Sequence, residues 1–461
     1  MKTGGNTQSG SSRLGFSIKL AYALPALALA VVGIPVYVYI PKFYTDTVGV
    51  DMALTGLLLM AVRIFDAVTD PLIGHVSDRT SSRFGRRRPY MILGALGLTL
   101  AMLFLFNPPL SLPVPPAIWF GFWMFALFLF WTLATVPYEA LGPEITFDYH
   151  ERTELFSWRD GFLIAGTLLA AASPALAAWM MGAAGQAVTE RGKFFAISIV
   201  YVPLILAAVW ICIHLIRERP NASGIQTPFL EGLGAVTRNR PFMILLGAYT
   251  ISSLGSNLPA TLILYYVQYV LQADNAEAFL MLYFVTGIFF LPFWIGLSRH
   301  LGKKNAWLLS MAVNTGAFTG VFFLGPGDAW LYGILVFVSG IGFGASLALP
   351  SAIQADVIDY DEMLSGERRE GRYIGLWSIA KKLAAAMGVG LGLSLLGYAG
   401  YVPNADQGPE VIAMLRLLYA LVPCICNLLA MAVVWYYPIT EARHREIMRS
   451  ILLNRELKSH S

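Results

Sequence analysis

The sequence predicts an all-α integral membrane protein of about twelve transmembrane helices in two six-helix bundles, and three observations carry that reading. Of 461 residues, 57% are hydrophobic and only 13% charged, about half the charge of an ordinary soluble domain. Apolar stretches of about 20 residues, enough to cross a hydrocarbon layer of roughly 30 Å, recur from end to end. The longest internal polar linker, 218–240, leaves six such stretches on either side. Alternating segments of about ten residues, which a membrane β-barrel requires, do not occur.

Taken in order, residues 1–17 are polar and rich in Gly and Ser, with no small-residue cleavage site before the apolar run that follows, so they read as an N-terminal tail and not a removed signal peptide. The first bundle, 18–217, holds spans near 18–41, 51–77, 89–108, 115–141, 157–182 and 195–217. The second, 241–437, holds spans near 241–270, 276–299, 304–325, 329–354, 373–399 and 411–437, and a tail covers 438–461. Basic residues alternate with the spans. Arg79, Arg83 and Arg86 to Arg88, then Arg152, Arg217 to Arg240, Lys303 and Lys304, and Arg368 to Arg372 all fall on one side with both termini. Loops rich in Lys and Arg stay cytoplasmic, so both tails are expected there. Two echoes suggest an internal repeat: Gly74 to Arg88 resembles Gly296 to Lys304, and Asp148-Tyr149 resembles Asp359-Tyr360. Paired halves of this kind place a substrate site near the bilayer midplane.

A net charge of +4, spread over short clusters, excludes a nucleic-acid partner. Cys212, Cys424 and Cys426 lie in apolar segments without metal-ligand spacing and read as buried thiols. None of the six histidines pairs at ligand spacing and no nucleophile elbow appears, so an enzyme is not expected. A lipid-modifying enzyme or a non-transporting sensor would leave the densest motif unexplained. That motif is Arg63-Ile-Phe-Asp66-Ala-Val-Thr69-Asp70-Pro71 in the second span. Asp66 and Asp70 are four residues apart and share one helix face. Two carboxylates there require a shared cation or proton, or pairing with a base such as Arg63. A Na⁺ or H⁺ site is the direct reading, with a carbonyl freed by Pro71 as a further oxygen ligand for a hard cation.

Further charges lie inside apolar segments. Arg159 opens the fifth span and Lys382 sits several residues into the eleventh, where each needs an anionic partner, a substrate or a route to the interface. The string Asp66-x3-Asp70-Pro71-x2-Gly74-x3-Asp78-Arg79-Thr80 through Arg88-Pro89 closely resembles the signature of the glycoside-pentoside-hexuronide:cation symporters, the melibiose-permease-like branch of the major facilitator superfamily. The likeness extends over essentially the whole chain in topology, and to Trp131 through Pro143 and Asp356 through Gly371 in sequence. It implies the superfamily fold and alternating-access symport, with a cation site of Asp66, Asp70 and Thr132 to which Thr69 adds. Arg159 matches the substrate-binding arginine, and Lys382 the lysine near both sites. Trp131, Thr135, Tyr138, Glu139 and Trp377 join them as substrate-binding candidates, and Asp78, Arg79, Arg88, Asp359, Arg368 and Arg369 as gating or structural residues.

The pattern departs from the sugar carriers at three points. Ala30 and Thr135 stand where those members carry sugar-bonding acids, and Glu139 stands where melibiose permease has a tryptophan. A cavity with Arg159 and Lys382 on apolar walls suits a uronide, a carboxylated glycoside or an anionic amphiphile such as a lysophospholipid. The expected partners are therefore a small solute, Na⁺ or H⁺ as coupling ion and membrane lipid, with no other cofactor. A single copy in a bacterial inner membrane is sufficient.

Overall fold

A computed structural model describes residues 14–80, 82–111, 113–146, 148–216, 218, 236–366 and 369–459. The expected gating residue Arg368 and nearly all of the linker fall outside them. Twelve helical runs occupy the expected places, followed by a thirteenth at the end of the chain. They are α1 (Phe16–Val48), α2 (Met52–Arg79), α3 (Arg88–Phe106), α4 (Pro116–Ile145), α5 (Tyr149–Ala183), α6 (Glu190–Leu215) and α7 (Arg240–Tyr265). Next come α8, whose arms Ala276–Phe289 and Leu291–Leu301 meet at 44°, then α9 (Lys303–Val321), α10 (Ala329–Ser365), α11 (Glu370–Tyr398), α12 (Pro409–Trp435) and α13 (Glu441–Ser459).

Nine of these are long and apolar enough to cross a membrane, ten with bent α8 counted as one span. The other two expected spans, α7 and α9, are helical but carry Ser252, Ser253, Ser256 and Asn257, or Asn305, Asn314 and Thr315, on otherwise apolar helices. Helix starts are encoded locally. Asp51, Asp148, Thr189 and Asn239 each accept a backbone N–H at the head of α2, α5, α6 and α7, satisfying donors the helix cannot.

The packing repeats with an offset of six helices. α1 packs on α5 and α6, α4 on α2 and α3, and α3 on α6; α7 packs likewise on α11 and α12, α10 on α8 and α9, and α9 on α12. Across the two sets, α2 meets α11 and α5 meets α8. These crossing pairs also exchange under the offset, so the halves relate by an approximate two-fold.

At the end away from the basic loops the crossing is tight. A Cβ on Gly56 would stand 2.7 Å from the backbone nitrogen of Ser394, and one on Gly397 would stand 2.6 Å from that of Ala53. Small residues let the two backbones touch, the usual device for close helix approach in lipid. Beyond this contact, Asp46 of α1 accepts from Tyr401 at 2.7 Å, and its backbone carbonyl accepts from Asn404 at 2.7 Å. Thr45 lies 3.1 Å from the Tyr265 hydroxyl, while Lys42 pairs with Asp46 and sits over the Tyr265 ring at 4.9 Å.

At the basic end α2 and α11 diverge instead, leaving a cavity of about 430 Å³ lined by Asp70, Gly74, Asp78, Gly371, Gly375 and Lys382. The α2 and α11 crossing is thus closed at one end and open at the other. Gly56→Val should force the sealed crossing apart at a cost of roughly 1–3 kcal/mol, typical of overpacking. A fall in the thermal midpoint of the detergent-solubilised protein measures this, and an unchanged midpoint would contradict the backbone contact.

Candidate cation and substrate site

Asp66 and Asp70 lie one turn apart on α2 and both turn toward α4, where Thr132 waits between them. Its Oγ1 is 3.1 Å from Asp66 Oδ1 and 3.1 Å from Asp70 Oδ1. A hydroxyl carries one proton and can fully satisfy only one of these acceptors. The two carboxylate oxygens therefore lie within about 6 Å of each other, where repulsion amounts to roughly 3 kcal/mol at an effective dielectric near 20. Lys382 of α11 answers that repulsion from the other half of the chain: its Nζ is 2.9 Å from Asp66 Oδ2 and bonds Asp70 Oδ2 as well. Each of these attractions, at about half the separation, exceeds the repulsion it offsets. Asp66 is only 5% exposed, whereas Asp70 lines the cavity open to the basic end.

Lys382 thus stands within the candidate cation site, bonded to both acids. No group of three or more His, Cys, Asp or Glu side chains able to hold a metal occurs among the described residues. A Na⁺ here would depend on the two carboxylates, the Thr132 hydroxyl and smaller oxygens, after displacing the ammonium. The Thr69 hydroxyl donates to the Asp66 carbonyl of its own helix at 3.2 Å, which leaves its oxygen lone pairs available. Arg63 is the other cation at the cluster. Its NH1 donates to the Tyr37 hydroxyl at 2.8 Å, its guanidinium lies over the Tyr37 ring at 3.9 Å, and Asp66 is 3.7 Å away.

The remaining candidates divide. Trp131 stacks on Tyr37 with ring centres 5.9 Å apart, forming a wall of the cluster. Arg159 bonds its neighbour Asp160 at 2.7 Å and lies over Phe156 at 4.7 Å. Glu139 is solvent-accessible on the α4 face that carries Thr132, and bonds no described residue. Tyr138 departs from expectation: it is buried and donates to the Tyr22 carbonyl at 2.6 Å, so it ties α4 to α1. Trp377 is likewise buried, stacked on Tyr249 at 4.1 Å. The Thr135 hydroxyl is buried with no hydrogen-bond partner among the described residues.

At the basic end, Asp78 pairs with Arg87 at 3.2 Å and Arg87 with Glu144 at 3.0 Å. The backbone N–H groups of Arg86, Arg87 and Arg88 converge on the Glu218 carboxylate at 2.6 to 3.1 Å. An anion is thereby held at the head of α3, where the helix dipole favours it. Arg88 also donates to the Ile216 carbonyl at 2.7 Å. Asp359 lies 3.2 Å from His444, and Arg369 lies 3.8 Å from Asp361. Apart from those of Glu218 in the linker and His444 in the tail, each of these contacts joins two residues of the same half. Arg79 is exposed and pairs with no described residue. The hub roles of Arg87 and Glu218 escaped the sequence reading, in which Arg87 was one of five loop arginines and Glu218 an isolated acid at the edge of the linker.

Lys382→Met removes the ammonium that competes for the two acids. Binding of Na⁺ or H⁺ to the purified protein, followed by calorimetry, should tighten by roughly tenfold or more. Unchanged affinity for both ions would show that the acids do not share a cation site.

The family profile described as MFS/sugar transport protein matches residues 21–441. The glucuronide carrier protein homolog of Escherichia coli (strain K12) is 28% identical over 417 residues, covering 90% of both chains. The isoprimeverose transporter of Lactiplantibacillus pentosus is 24% identical over 436 residues, covering 91% of this chain and 88% of that one. Among solved structures, a D-xylose-proton symporter superposes with a TM-score of 0.61 at 14% identity, over 92% of this chain and 98% of its own. That likeness carries the fold alone. Membrane-spanning helices, profile and relatives agree: this chain is a multi-pass membrane transporter, not an enzyme, and belongs to the MFS/sugar transport protein family in its glycoside-pentoside-hexuronide:cation symporter branch.

Proposed function

We propose that the protein couples entry of Na⁺ or H⁺ at Asp66, Asp70 and Thr132 to movement of a glycoside- or uronide-type sugar across a bacterial inner membrane. The observation that carries this reading is the bridge from Lys382 to both acids. One half supplies the anions and the other the ammonium, so anything that neutralises the acids also loosens the contact between halves. A coupling cation takes the place of the ammonium, Lys382 is released toward the cavity, and the two bundles, 18–217 and 241–437, rock about the occupied site. The basic end faces the cytoplasm, as the placement of Lys and Arg supports. Binding is reciprocal, so substrate tightens the cation as much as the cation tightens substrate.

Sugar is favoured over a lysophospholipid by the charged residues that meet solvent here, Asp70, Glu139 and Lys382, and by relatives named for a glucuronide and for isoprimeverose. The test is uptake into proteoliposomes under an imposed Na⁺ or H⁺ gradient, with glycosides, uronides and lysophospholipids as the panel. Asp70→Asn should abolish gradient-driven accumulation, a loss of at least about tenfold, consistent with removal of a charged ligand. Accumulation at the wild-type level in that variant would overturn the cation assignment. Accumulation of the lipid alone would overturn the sugar assignment.

A further inference from the structure

Most charges at the centre of the molecule have partners within bonding distance. Asp66 and Asp70 have Lys382 and Thr132, Arg63 has Tyr37 and Asp66, and Arg159 has Asp160. Two do not. Lys381 and Glu139 form no hydrogen bond or ion pair with any described residue, and both side chains are solvent-accessible.

Their exposure is to the interior and not to lipid. Leu383, Met387, Leu391 and Leu395 mark the outward stripe of α11, each at least 39% exposed and four residues from the next. Lys381 precedes that stripe by two residues, about 200° around the helix, and lines up with buried Trp377, Ala384 and Gly388. Glu139 follows Thr132 by seven residues, two turns along the same face of α4. The nearest charges confirm the setting: Lys381 is in electrostatic reach of Arg63, Glu139 and Lys382, and Glu139 of Arg159, Asp70, Lys382 and Lys381. An ammonium at membrane depth with no counter-ion costs about 2.5 kcal/mol or more. No described side chain within bonding distance offsets that cost for Lys381.

Charge balance narrows the solute further. Arg63, Arg159, Lys381 and Lys382 are matched in number by Asp66, Asp70, Glu139 and Asp160, so the formal charges of the site sum to zero. A coupling cation brings it to one positive charge. A solute carrying one negative charge restores neutrality, and an uncharged sugar does not.

We propose that Lys381 is a substrate-anchoring residue that binds the carboxylate of a sugar acid, with Glu139 accepting hydroxyl donors from the same sugar ring. The proposal rests on the symport reading above and names its substrate class. The carboxylate sits against Nζ of Lys381, while Lys382 serves the acids of α2 until the coupling cation displaces it, so adjacent lysines have different first partners. A charge-assisted bond of this kind is the stronger type of hydrogen bond, and a bonded hydroxyl gives the site a reason to reject a sugar that lacks it.

The experiment uses the full chain in proteoliposomes with inward Na⁺ and H⁺ gradients. The probes are p-nitrophenyl β-D-glucuronide and p-nitrophenyl β-D-glucoside, which differ by a carboxylate in place of a hydroxymethyl group. Wild-type protein is expected to accumulate the glucuronide in preference, at a rate insensitive to an imposed membrane potential. Lys381→Gln should raise the glucuronide KM by roughly tenfold or more with little change in the glucoside KM, and Lys381→Arg should restore it. An unchanged glucuronide KM in Lys381→Gln overturns the proposal while leaving sugar symport intact. So does equal loss of both probes in that variant without rescue by arginine, or wild-type accumulation of the glucoside alone. If wild-type protein accumulates neither probe, the proposal falls together with the symport reading.

Discussion

Two carboxylates on one turn of a helix repel each other, and the interior of a membrane offers little solvent to screen them. The rest of this structure follows from how that repulsion is answered. The answer comes from another helix in the other half: the ammonium of Lys382 reaches across the α2 and α11 crossing to hold both acids. Because the neutralising charge belongs to the opposite half, the ionic state of α2 and the separation of the halves cannot vary independently. Thr132 adds a one-proton restriction, since its hydroxyl faces two acceptors and serves one. The site is therefore arranged to gain from a further positive charge, provided the ammonium can leave.

The scaffold around it is symmetric in packing and asymmetric in chemistry. Contacts among α1 to α6 recur among α7 to α12, and the two crossings between halves exchange under the same offset. The acids obey no such rule. The counterpart of α2 is α8, and where α2 carries Asp66 and Asp70 mid-helix, the acid of α8 is Glu277 in its first turn. A cavity inside the second half, bounded by Ile263, Tyr283, Phe318 and Tyr419, is mainly apolar. One half thus carries the paired acids while the other contributes the lysine pair that faces them.

Much of this was legible in the sequence because membrane solvation leaves strong marks. Long apolar runs gave the helices and their order, and the four-residue spacing of Asp66 and Asp70 gave their shared face. Thr132 was legible only through resemblance, since threonines in membrane helices usually bond their own backbone, as Thr69 does. The polar stretches of α7 and α9 are helices whose apolarity falls short of a free-standing span, a trait visible in Ser252 to Asn257 once neighbours are known to cover them. What the sequence could not show is direction. Tyr138 looked available for a ligand and is spent on the Tyr22 carbonyl, and Lys381 and Lys382, identical in type and adjacent, point to different surroundings because neighbouring residues on a helix stand about 100° apart.

The crossing where Gly56 and Gly397 lie against backbone has a consequence for idle protein. A transporter powered by an ion gradient is harmful whenever ions slip through it without cargo, and protons slip most readily along unbroken files of water. Backbone pressed against backbone leaves no width for such a file, and the aromatic rings of Tyr265, Tyr269 and Tyr401 stacked edge to face beyond it fill the space that side chains would otherwise open. With the crossing shut in this manner, the cavity and its cluster of charges lie on one side of the contact, away from such a path.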